Sequence, residues 1–385
     1  MEPVVIIGAG MGAYSLAREF RKLDKTTPLM LVAGDAGNAY AKPMLSNAFA
    51  LGKAPAQLVS SSAAQMATQL GADVLTHTQV LSIDTAGAAI FTTRGRFAYS
   101  KLVLALGAHP IRLPVGGDAA DEVLSVNNIA DYTAMREKID AIGGSARVTI
   151  LGAGLIGCEF ADDLAAAGHH VTLVDPNPRP LAALAAPALS DGLAQAWANH
   201  SITLALGTTA ASISRASGAL HVALADGRVV EADIVLSAVG LRPSVALAAD
   251  AKIDIRRGIV VDAYGQTSCE GVFALGDCAE YATASGSAVM PYVAPMLAAA
   301  RAIAATLAGI PTPIEHKTEA VIVKTPSYRL ALAPPPAGLA GSWVHETDAE
   351  RTVARFVGED GVLRGFGMSS PAPALRQKLL GALGV

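Results

Sequence analysis

The sequence predicts an α/β chain with two doubly wound, parallel-sheet units and a smaller, mostly β domain at the C-terminus. Three observations carry this. A strand, a glycine-rich turn, a helix and a second strand follow one another at the N-terminus. The same unit recurs 144 residues later, counted from Gly8 to Gly152. From Glu319 the pattern changes to short alternating runs, such as Ala320 to Val323, Trp343 to His345 and Val353 to Val357.

In the first unit the apolar run Val4-Val5-Ile6-Ile7 leads into Gly8-Ala9-Gly10-Met11-Gly12-Ala13. Leu16, Ala17 and Phe20 mark a helical face, and Leu29 to Val32 supplies the next strand. In that setting a G-x-G-x-x-G/A turn reads as a Rossmann-like dinucleotide site. Gly8 allows the tight turn, Gly10 lets backbone approach a pyrophosphate, and Ala13 keeps helix and strand close. The phosphates would rest on free N–H groups at a helix N-terminus, where the dipole favours negative charge. Asp35 is the candidate ribose partner, 27 residues after Gly8. The second unit repeats this with Val148 to Leu151, then Gly152, Gly154 and Gly157, a helix through Phe160 and Leu164, and the strand Val171 to Val174 ending on Asp175. Short strands are expected over about 71–106 and 202–236, and a helix over 127–142. A third apolar strand, Gly271 to Leu275, stops at Gly276-Asp277 before a helix over 296–307. His169-His170 reads as loop.

Composition narrows the function. With 385 residues at about 150 per domain, two or three domains are expected. An apolar share of 52% against 16% charged residues excludes disorder. Mean hydropathy is high, at +0.41, yet the longest charge-free run, Tyr281 to Ala300, is broken by Gly286, Pro291 and Pro295 and makes a poor membrane span. The N-terminus begins on a strand without an export signal, so a cytoplasmic location is expected. A net charge of −4 argues against bulk nucleic-acid or membrane binding. Three scattered cysteines make neither a disulfide framework nor a metal site.

Two dinucleotide sites on one chain suggest a relay in which a nicotinamide delivers hydride to a flavin, with Asp277 reaching the flavin nucleotide past a strand end. The chain resembles the two-dinucleotide flavoprotein reductases in its two glycine motifs, in Leu104 to Ala108, in Ala238 to Pro243 and in Ala274 to Asp277. Within that group it is most similar to the rubredoxin–NAD⁺ reductases of alkane-oxidising bacteria, through Leu16 to Leu23, Tyr40 to Ser46, Leu151 to Phe160, Gly276 to Glu280 and Val323 to Pro326. Leu106 departs from the pattern, which usually has Thr there. The resemblance implies FAD at the first motif, with Gly8, Gly10, Ala13, Asp35, Lys42, Pro43, Val80, Gly107, Glu159, Asp277, Val293 and Lys324 contributing. It implies NADH at the second, with Gly152, Gly154, Gly157, Asp175 and Gly240. Lys42 would approach the reactive edge of the flavin and pair with Glu159. The implied domains are 1–112 with 245–318 for FAD, 113–244 for NAD, and an α+β domain over 319–385.

Disulfide reductases of the group carry Cys-x4-Cys where this chain has Ala41 to Ala50, which holds no cysteine. Electrons must then leave the flavin for an outside acceptor. The resemblance implies rubredoxin, a small acidic iron protein, and beyond it an alkane hydroxylase. Ferredoxin or flavorubredoxin is the alternative carrier, and a redox-dependent signalling flavoprotein the third reading. Asp175, with no basic residue before Arg179, favours NADH over NADPH. Residues 1–112 hold ten basic and six acidic side chains, a net of +4. This excess is expected to steer an acidic carrier.

Overall fold

Val4–Ile7 is apolar at all four positions and buried at all four, as a central parallel strand must be. It pairs in parallel with Leu29–Val32 on one side and Lys101–Leu104 on the other. Val272–Ala274 and Asp73–Leu75 form the two edges of this five-stranded sheet. The computed structural model describes residues 1–283 and 286–384, and the chain divides into two compact units. The first comprises 1–41, 59–109 and 241–317. Its helix Met11–Leu23 buries Ala13, Tyr14, Leu16, Ala17 and Phe20, the face its spacing predicts. Near the helix end, Arg21 donates to the carbonyls of Leu70, Asp24, Thr27 and Gly71. A meander of Val80–Asp84, Ala89–Thr92 and Gly95–Ala98 completes the short-strand region. The later helix spans Val293–Leu307, three residues longer at its start than expected. Of the charge-free run 281–300, residues 284 and 285 lie outside the described residues.

The second unit comprises 42–58, 110–240 and 318–385. Its parallel sheet runs Ile202–Leu206, His170–Asp175, Arg147–Leu151, Ile234–Ser237. His170 is therefore the first residue of a strand rather than loop, paired opposite Arg147, while the His169 ring accepts the Ala146 N–H at 3.1 Å. The helix Leu155–Ala166 is buried from Gly157 through Leu164. The tail forms a five-stranded antiparallel sheet, ordered Val321–Val323, Leu330–Ala333, Leu363–Ser369, Thr352–Gly358, Gly341–Thr347. The helix Pro373–Gly381 covers it through Leu379, packed with Phe366 and Met368. No helix among the described residues is long and apolar enough to cross a membrane.

Candidate functional site

In the first unit Gly8 has φ +122°, and a Cβ there would overlap the carbonyl oxygen of Ala105. Only glycine satisfies both constraints. Gly10 caps the helix Met11–Leu23 with ordinary φ, no side-chain cap and no acid in the first turn. A Cβ on Gly10 would meet nothing within 4 Å. The helix thus presents uncapped N–H groups to open space, a cradle that fits a dinucleotide pyrophosphate. Ala13 is buried beneath it. Tyr14, which sequence reading passed over, donates its hydroxyl to the Gly37 carbonyl and ties the helix to the loop beyond the second strand. Burial raises its pKa to about 12, so it stays a donor.

Asp35 lies in that loop, exposed, with Oδ1 accepting the Gly37 N–H at 2.9 Å. Val80 opens a meander strand. Gly107, at φ +66°, accepts the Ser244 N–H through its carbonyl. Asp277 sits in the turn Gly276–Cys278 just beyond Val272–Ala274, where Gly276 has φ +75°. Val293 is the first residue of its helix and 39% exposed, so it is not core packing. A Cβ on Gly12 would lie 3.4 Å from Met296, which brings the starts of the two helices together.

The second glycine turn repeats the geometry. Gly152 has φ +106°, with a Cβ position 2.7 Å from the Ala238 oxygen, and a Cβ on Gly157 would overlap the Gly152 oxygen. Gly154 caps Leu155–Ala166 and faces open space. Gly240, at φ +111°, accepts the Ile111 N–H through its carbonyl. Asp175 is buried, and its carboxylate is already engaged. Oδ2 accepts the Ala153 N–H at 2.7 Å, while Oδ1 accepts the backbone and side-chain N–H groups of Asn177, both at 2.8 Å. It therefore braces the turn, with both Oδ1 lone pairs engaged and Oδ2 left with capacity for one further donor. Arg179, the first cation after it, is held by Asp191 at 2.8 Å.

Two further carboxylates, Asp162 and Asp163, follow the expected Glu159 on Leu155–Ala166. Glu159, Asp162 and Asp163 are all buried, at 1%, 3% and 2% exposure. Asp163 accepts the Phe49 and Ala50 N–H groups, each at 3.0 Å. Burial raises its pKa, and those two N–H groups oppose the shift. Asp162 accepts from Trp197 Nε1 at 2.7 Å and from the Ser327 hydroxyl. Glu159 accepts from Ser46 Oγ at 2.6 Å and from the Lys324 N–H at 3.0 Å. These bonds join 42–58 to the second unit, although the sequence segments placed that stretch with the first.

Lys324 supplies a cation beside Glu159. Lys324 Nζ lies 2.8 Å from its carboxylate, and it also donates to Ser46 Oγ and the Pro43 carbonyl. Lys42 Nζ donates to Asn127 Oδ1 at 2.5 Å. Lys42 sits at the start of a short 3-10 helix, Lys42–Asn47, whose far end is pulled onto Glu159 by Ser46. The expected Lys42 partner is thus met by a lysine 165 residues along the chain from it.

Of the three cysteines, Cys158 and Cys278 are buried, and burial pushes both thiols up, Cys278 to about 11. Neither is poised as a thiolate.

Comparison with known proteins adds to this geometry. Residues 2–302 match the family described as pyridine nucleotide-disulphide oxidoreductase, and residues 313–383 match one described as rubredoxin binding C-terminal domain. A rubredoxin-NAD(+) reductase of Alcanivorax borkumensis is 40% identical over 98% of each chain. A nitric oxide reductase FlRd-NAD(+) reductase of Aeromonas salmonicida is 38% identical, over 97% of this chain and 96% of its own. Among solved structures, a ferredoxin reductase of Rhodopseudomonas palustris is 25% identical and superposes with a TM-score of 0.87, covering 96% of this chain and 91% of its own.

Proposed function

The chain belongs to the pyridine nucleotide-disulphide oxidoreductase family, and we propose that it takes hydride from NADH onto a tightly held FAD and passes the electrons singly to rubredoxin. The observation that carries the reading is the pair of uncapped helix N-termini at Gly10 and Gly154, on a chain that also matches a rubredoxin-binding C-terminal family. Bound FAD accepts a two-electron hydride and can release electrons one at a time. The protein's part is positioning and electrostatics. The first unit is the FAD-binding body, and Gly8, Gly10 and Ala13 let a pyrophosphate rest on the N–H groups of Met11–Leu23. Asp35, Val80, Gly107, Asp277 and Val293 are its further contacts. Residues 110–240 hold NADH through Gly152, Gly154, Gly157 and Gly240, with Asp175 accepting from ribose hydroxyls. Lys42, Glu159 and Lys324, with the Pro43 carbonyl, form a polar group in the second unit, where pairing keeps a buried carboxylate from standing alone.

No cysteine lies between Ala41 and Ala50, so electrons leave without a disulfide relay. The sequence resemblance further supports an alkane hydroxylase as their eventual consumer. The reading is tested by NADH-driven reduction of rubredoxin. The similarity to FlRd-NAD(+) reductases supports a second reading with a different carrier, and reoxidation of the reduced enzyme by each purified carrier separates the two.

Coenzyme choice is a separate expectation. The Asp175 carboxylate repels a 2′-phosphate. NADH is expected to exceed NADPH in kcat/KM by about 100-fold, on the order of 2.7 kcal/mol. Steady-state kinetics with both coenzymes check this, and equal values would contradict it.

A further inference from the structure

We infer that a basic recess between the helices Met11–Leu23 and Val293–Leu307 is a docking contact for the acidic face of the electron carrier. The inference rests on the rubredoxin reading above and adds a surface to it. Ser15, Arg18, Glu19 and Lys22 lie at i, i+3, i+4 and i+7, the helix stripe left over once Ala13, Leu16, Ala17 and Phe20 are buried. Leu297, Ala300 and Arg301 face them from the second helix, and together the seven residues line a shallow recess of about 140 Å³.

Arg18, Lys22 and Arg301 are exposed, and Glu19 is half-buried. Among the described residues Arg301 has no hydrogen-bond or ion-pair partner. The contact made by Arg18 is with the Met66 sulfur at 3.3 Å, which is a weak acceptor and leaves the charge uncompensated. Lys22 pairs with Glu19 at 2.7 Å, but its side chain is 65% exposed, so an incoming carboxylate can compete for it.

Ordinary structural duties do not account for these cations. Arg21 is used on backbone carbonyls, and Lys22 lies in a last turn where the dipole favours positive charge. Arg18 and Arg301 are mid-helix and have neither role. The first unit holds thirteen basic and thirteen acidic side chains, so its net charge is zero and the patch is a local concentration. That pattern suits a compact acidic protein better than nucleic acid, whose recognition draws on a broad basic field. Position agrees. Arg18 is seven residues beyond Met11, and Arg301 eight beyond Val293, about 10–12 Å along helices whose starts are proposed to face the flavin nucleotide. The rubredoxin-binding family description covers residues 313–383; the recess is a contact beyond that segment.

The test is the double charge reversal R18E/R301E in the FAD-loaded enzyme. Rubredoxin reduction and reduction of the uncharged quinone menadione are assayed side by side from low to moderate salt. We expect kcat/KM for rubredoxin at low salt to fall by about 10-fold or more, with a flattened salt dependence and menadione turnover unchanged. The neutralised R18Q/R301Q should fall between it and wild type. If wild type reduces rubredoxin and R18E/R301E matches it in rate and salt dependence, the docking inference is overturned alone. If wild type reduces menadione but not rubredoxin, the functional reading fails and the inference with it.

Discussion

Gly8→Ala is expected to purify with less than about a tenth of the wild-type flavin. Alanine at φ +122° costs on the order of 1–3 kcal/mol in backbone strain alone, and its Cβ would overlap the Ala105 oxygen on a neighbouring strand connection. The turn must open to relieve the overlap, and opening moves the N–H groups that hold the pyrophosphate. Each 1.4 kcal/mol is tenfold in affinity, so roughly two orders of magnitude are at stake. Gly10→Ala is the informative companion. Gly10 has ordinary φ and open space where its Cβ would go, so that variant should fold with wild-type stability yet still lose FAD. Flavin absorbance per protein, measured beside thermal unfolding, separates the two. Full flavin in Gly10→Ala would show that the space over the helix end is not where the cofactor rests.

The second large effect concerns Lys324. Lys324→Met leaves the Glu159 carboxylate, 1% exposed, without the cation now 2.8 Å away. Breaking a fully buried pair costs about 3–5 kcal/mol. Lys324 keeps 30% of its side chain exposed, so about 2–3 kcal/mol is expected. Lys324→Met combined with Glu159→Gln removes both charges and should recover at least half of that loss. The sign of this recovery distinguishes a stranded charge from simple loss of packing. Denaturant unfolding of the four proteins measures it. A double variant as unstable as the sum of the singles would contradict the pairing account.

What could be read from residues alone was what local geometry dictates. The glycine turns were legible because Gly8 and Gly152 answer constraints set within a few residues and one neighbouring strand. The buried strand Val4–Ile7 was legible from its unbroken apolar run, and the stretch 148–151 from a mostly apolar run with Thr149 inside it, each leading straight into a glycine turn. The charged group around Glu159 was not. It joins residues from three separated stretches, Ser46, Glu159 and Lys324, and no local pattern says which of two lysines a buried glutamate will meet. The family resemblance implies Lys42 at that position, and long-range packing brings Lys324 to the carboxylate. A signal for Asp162 and Asp163 did exist. The segment Leu155–Ala166 is apolar around most of its circumference, so its acids had to be buried and therefore bonded. The same packing explains why residues 42–58 lie in the second unit: the N–H groups of Phe49 and Ala50 end on Asp163.

Flavin-held electrons are proposed to pass directly to rubredoxin. Anaerobic stopped-flow mixing of the FAD-loaded enzyme with NADH and oxidised rubredoxin tests it most directly, because flavin and rubredoxin absorbances can be followed separately. Flavin bleaching should precede rubredoxin bleaching, about two rubredoxins should be reduced per NADH, and the rate should fall as salt rises. Flavin that is rapidly reduced by NADH while rubredoxin stays oxidised would contradict it.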